Sequence, residues 1–137
     1  MSPQLLKCNK EQHLNRAAHN RRFVESARTL PGDYRGWQVT AVFYAAVHLL
    51  QAYLAAKTRF YPQTHQERDQ LVISLPALRP IHDHYSELKR VSVSSRYGCL
   101  PVSDQDLQDA LAEFDAIERH LRPLLVDRRS KKPASRR

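Results

Sequence analysis

Apolar positions along this chain cluster into four runs, each with the three- and four-residue spacing of a helix. In residues 9–29, Leu14, Ala17, Ala18, Phe23, Val24 and Ala27 recur at that spacing with charges between them, which predicts a surface helix with one buried face. Pro31 and Gly32 then stop it. Thr64 followed by Glu67 reads as a capping box that opens a third helix at His65. Pro76 and Pro80 break or kink that helix before it resumes through IHDHYSELKRVSV, and Gly98 and Pro101 end it. Ser103 and Asp106 cap a fourth, in which Leu107, Ala110, Leu111, Phe114, Ile117 and Leu121 line one side. The expected helices lie near 9–29, 36–57, 64–94 and 103–123, with the third interrupted around Pro76 to Pro80. Short connections between them predict an all-α, up-down four-helix bundle. No Asn-Gly or Asp-Gly hairpin signal competes with that reading.

The second run, WQVTAVFYAAVHLLQAYLAA at residues 37–56, has no formal charge and is long enough to cross a bilayer. Arg35, Lys57 and Arg59 flank it, His48 and Gln51 sit inside it, and no second such span exists, so the expectation is a buried central helix rather than a membrane span. At 100° per residue, Thr40, Tyr44, His48 and Gln51 fall in a narrow wedge, while Val39, Val42, Phe43, Ala46, Leu49, Leu50 and Leu54 take the other faces. Buried polar groups are costly unless paired. This edge therefore meets partners on another helix, lines a cleft centred on His48, or faces a second subunit.

His65 and Arg68 share a face in the first turn of the third helix, and Arg96 and Tyr97 stand at its far end. An up-down bundle puts the first pair near Leu54 to Lys57 and the second near Trp37 to Ala41. One chain need not bring them together, whereas a symmetric dimer would bring two copies of Arg96 into one cleft.

Length allows a single domain over residues 1–127. The net charge of +8 favours an acidic partner, with nucleic acid first and an anionic membrane second. Six of the cations lie in the last ten residues, RRSKKPASRR, and without them a charge of +2 remains. Residues 128–137 are thus expected to be a flexible basic tail that adds affinity without specificity. Cys8 and Cys99 are too isolated for a disulfide framework or a zinc site, and His82 and His84 fall on opposed sides of a helix, so no metal or cofactor is expected. The tyrosines are scattered rather than grouped as a stacking platform, and no Gly-x-Ser-x-Gly elbow surrounds Ser92, Ser94 or Ser95. MSPQLLKCNKEQ turns polar too early for a signal-peptide core, which makes a cytoplasmic location the expectation.

The segments HLNRAAHNRRF, GWQVTAVFYAAVHLLQAYLA, THQERDQLV and YSELKRVSVSSRYG, running from about residue 13 to 98, resemble the HEPN superfamily, and among it the small stand-alone bacterial members. The resemblance implies a four-helix bundle that is commonly dimeric. Many such proteins are metal-independent ribonucleases or toxins carrying Arg, four to six residues, then His near the end of the third helix. In that chemistry the histidine assists proton transfer at the ribose 2′-OH and the arginine stabilises charge on the phosphorane. Arg96 matches the motif arginine, but YGCLPVSDQ after it contains no histidine. Arg59 to His65 and Arg79 to His84 also fit the spacing, at about the frequency that chance placement predicts.

Three readings stay open. The resemblance implies a homodimeric domain that binds RNA or a nucleotide-bearing partner, in a toxin-antitoxin or phage-defence system with its own partner protein. A second reading is an active ribonuclease in which His48 or His65 replaces the missing histidine and works with Arg96. A third is a protein-interaction bundle with no nucleic-acid role. In the first two, Arg68, Tyr97, Tyr44 and Gln51 line the same cleft. Arg96 itself either forks a phosphate or caps the carbonyls before Gly98.

Overall fold

A computed structural model describes residues 7–126, so the basic segment 128–137 lies outside the described residues. The described residues are all-helical, with no strand and with five α-helices: α1 (Lys10–Ser26), α2 (Arg35–Lys57), α3 (His65–Ser74), α4 (His82–Tyr97) and α5 (Asp104–Leu125). Short 3₁₀ segments cover Ala27–Thr29 and Pro76–Ile81.

Local chemistry sets the helix starts. Asn9 accepts from the Gln12 backbone N–H at 2.8 Å while the Gln12 side chain returns to the Asn9 N–H, and Ser103 and Asp106 repeat the exchange at α5. Thr64 accepts from the Glu67 N–H at 3.1 Å, but the Glu67 carboxylate takes the Gln63 N–H at 2.7 Å, one residue before the position a capping box requires.

The charge-free run forms α2, which packs against α1, α4 and α5. It is the one described helix long and apolar enough to cross a membrane, and its neighbours cover it instead. Val42, Phe43, Ala46, Leu49 and Leu50 are fully buried together with Leu88, Ile117 and Leu121 from the surrounding helices. A helix apolar nearly all round is what a central position demands. On α1 the buried positions are His13, Ala17 and Val24, so the inward stripe includes a histidine and turns Phe23 out to 38% exposure.

The expected third helix differs most. It is two helices, and the interruption is a reversal of direction rather than a kink. Asp69 on α3 is ion-paired to Lys89 on α4, and Val72 and Ile73 line one hollow with Tyr85 and Ser86. Along a continuous helix, the twenty residues from Asp69 to Lys89 would span about 30 Å. Leu75, restricted by the proline after it, is extended at φ −85° and ψ 122°, which ends α3. Leu78 and Ile81 are buried, and the His120 Nε2–H donates to the Ala77 carbonyl at 2.6 Å, fixing the reversal to α5. As a result the start of α3 lies beside the second half of α4.

Candidate functional site

The polar edge of α2 meets a different neighbour at Thr40, Tyr44 and His48. Thr40 donates to the Gly36 carbonyl at 3.0 Å and lies 3.2 Å from the Ser95 hydroxyl of α4. Tyr44 packs edge-on against Phe43, with the His65 ring of α3 6.2 Å away. His48 meets His13 of α1, Nδ1 to Nδ1 at 3.0 Å. Gln51 Oε1 is buried with no hydrogen-bond partner among the described residues. Gln38, outside the wedge, donates to the Val24 carbonyl at 2.9 Å and ties α1 to α2.

Two imidazoles can share one hydrogen bond through Nδ1 only if one ring donates and the other accepts, so the accepting ring is neutral, and when both rings are neutral they are opposite tautomers. The surroundings favour the neutral form of both rings. Burial holds His48 down to about 4, and the charges of His13, Arg16 and Arg68 add to it. Burial, then Arg68, lowers His13 as well.

A second group forms around Tyr44. Arg68 is buried at 8% exposure, and its Nη1 lies 2.9 Å from His65 Nδ1. A guanidinium has only donors, so His65 Nδ1 accepts and its proton sits on Nε2. No carboxylate among the described residues pairs with Arg68, its Nε has no partner, and the adjacent Asp69 is held by Lys89. A buried cation without a directly paired carboxylate is costly. His65 is lowered by burial, then by Arg68 and Lys89, with a smaller push from Arg96. The Tyr85 hydroxyl is buried near the same guanidinium and is raised to about 12, chiefly by desolvation.

Arg96 completes this group. Its guanidinium carbon lies 6.0, 5.7 and 5.6 Å from the ring centres of Phe43, Tyr44 and Tyr97, and Nη1 donates to the Ser92 hydroxyl. The end of α4 is closed by the Gly98 N–H on the Ser94 carbonyl at 2.8 Å, not by arginine. A Cβ at Gly98 would sit 2.6 Å from that carbonyl oxygen, so the close approach needs glycine.

One chain therefore gathers Tyr44, His65, Arg68 and Arg96, with Tyr97 over Arg96, because α3 folds back onto α4. The expected separation of His65 and Arg68 from Arg96 at opposite ends of α2 does not occur. His48 stands one layer away with His13, linked to Arg68 through its charge, and Gln51 lies apart from every hollow described below.

Sequence reasoning missed His13, Ser92 and Trp37. His13 lies one helical turn before Ala17, and Ser92 one turn before Arg96, so both were legible as facing positions. Trp37, 66% exposed, carries no such signal. His82 pairs with Asp83 and His84 with Glu113, and no group of three or more metal-ligating side chains occurs among the described residues. No protein-family model, curated protein or solved structure matches the chain.

Proposed function

We propose that this chain is a HEPN-like bundle, with α3 and α4 jointly standing for the third helix, that binds RNA or a nucleotide-bearing partner as a cytoplasmic homodimer. One observation carries the reading: Arg68 is a buried guanidinium with no carboxylate partner among the described residues, facing His65 beside the Arg96 stack. A phosphate would supply the missing charge, and guanidinium forks suit it in a way lysine does not. The His65 tautomer adds a donor, since Nε2–H makes no hydrogen bond among the described residues and can bond a phosphate oxygen. The biological setting, a toxin-antitoxin or phage-defence system with a partner protein, comes from the resemblance alone.

A second reading, a metal-independent ribonuclease, has its own support. His65 uses its bare nitrogen on Arg68 and so is a poor base, but the ring that donates within the His13–His48 pair keeps a bare Nε2. Both rings stay neutral near pH 7, as a general base requires.

RNA affinity measured against salt tests the first reading, because each phosphate neutralised on a single strand contributes a slope of about 0.7. Arg68→Gln and Arg96→Gln should each flatten it. RNA cleavage that persists in EDTA and vanishes in His48→Ala would turn the conclusion to the ribonuclease. A chain that dimerises yet binds no RNA at low salt is instead a protein-interaction bundle.

A further inference from the structure

Three hollows adjoin along α2, the first between the start of α2 and the end of α4 and the other two between α1 and α2. The first, ≈ 490 Å³, opens beside Arg96, Tyr97 and Leu100 and shares Trp37 and Thr40 with a second of ≈ 650 Å³. The second shares His19 and His48 with a third of ≈ 480 Å³, which reaches Arg16 and Cys8. Each falls within the roughly 300–1,000 Å³ typical of ligand clefts. Together they make one groove beside α2 from Gly36 to His48, about 18 Å at helical rise.

Large aromatic rings line the first two hollows. Trp37 is 66% and Tyr97 77% exposed, and Tyr34 and Phe23 are each 38% exposed. Arg96 and Arg16 stand toward its two ends. Its single lining carboxylate, Asp33, is already held by Arg35 at 2.9 Å. We infer that the groove is the path of an unpaired RNA strand several nucleotides long, with bases stacked on Trp37 and Tyr97 and phosphates at Arg96 and Arg16. This rests on the RNA-binding reading above and narrows it to single strands. Every base has a flat face to offer such rings, whereas in a duplex those faces are already stacked on each other. An apolar protein surface suits the groove less well, because it would desolvate both guanidinium groups without neutralising them.

Trp37 is the only tryptophan in the chain, so its emission reads the groove directly. The full-length protein is titrated with a short oligouridylate and with an RNA duplex of equal length, at several salt concentrations. The single strand should quench Trp37 and bind more tightly than the duplex. Trp37→Leu and Tyr97→Ala should each weaken single-strand binding about tenfold, while Trp37→Phe keeps most of it. Arg16→Gln and Arg96→Gln should each lower the salt slope by about 0.7. Both rings are exposed, so melting temperatures should stay near wild type and keep the result interpretable. Oligouridylate that binds without quenching, and equally well to both ring variants, overturns the groove and leaves RNA binding standing elsewhere. The groove is overturned in the same way if duplex binds as well as single strand, or if the ring variants only dissociate a dimer in sedimentation. Wild-type protein that binds no RNA at all defeats this inference and the reading beneath it together.

Discussion

α5 buries six residues, all apolar, whereas α1 and α3 together bury five, of which His13 and Arg68 are polar. Both regions close over the same central helix. On the α5 side, Phe114, Ile117 and Leu121 need only volume and a matching surface, since hydrophobic burial has no direction. On the α1–α3 side each buried polar group has one particular partner: His48 for His13 and His65 for Arg68. The first region holds the fold together. The second gives up some of that stability to Arg68, a buried cation with no ion-paired carboxylate among the described residues, where the first buries only apolar groups.

The largest expected effect breaks the apolar side. Phe114→Ala removes a ring that is 2% exposed and should cost about 3–5 kcal/mol in chemical denaturation, lowering RNA binding only as far as it unfolds the chain. A loss below about 1 kcal/mol would mean that α5 repacks freely and that the two sides differ less than their burial suggests.

Arg68→Met tests the opposite side with the opposite sign. Replacing an unpaired buried cation by an apolar side chain of similar length should leave stability unchanged or raise it by about 1–4 kcal/mol, while RNA affinity falls. Strong destabilisation would show that Arg68 is compensated in the folded chain and is architecture.

The histidine pair makes the same side sensitive to acid. His48 titrates near 4 in the folded chain against 6.5 for an unburied histidine, and His13 and His65 are shifted the same way. Between those values the unfolded chain takes up protons that the folded chain does not, so stability is complete above about pH 6.5 and declines as pH falls toward 4. The loss should be on the order of 1–2 kcal/mol, since solvent partly screens the site. His48→Gln should flatten denaturation midpoints over that window, and an unchanged slope would mean that other groups set the acid response.

The smallest change in stability is expected at Arg96→Lys. The helix end is closed by Gly98, so melting should shift within about 0.5 kcal/mol, while the loss of the planar stack on Tyr44 and Tyr97 weakens RNA binding several-fold. Retained binding would return Arg96 to the polar surface.

Much of this molecule was readable along the chain. Ser103 and Asp106, and the apolar steps from Leu14 to Ala27 and from Leu107 to Leu121, act over three or four residues, so the sequence alone determined where α1, α2 and α5 run and that α2 is central. It also showed that α2 keeps a polar edge at Thr40, Tyr44 and His48. Pro76 and Pro80 marked a break but not its direction. That direction depends on Leu78 and Ile81 entering the core and on Ala77 meeting His120, forty-three residues later in the chain. Only the tertiary structure therefore decided that α3 folds back, that His65 and Arg68 reach Arg96, and that His48 finds His13. Helix signals are local and add up residue by residue. The meeting of two helices is set by shape and charge contributed from distant segments, and no spacing within either segment encodes it.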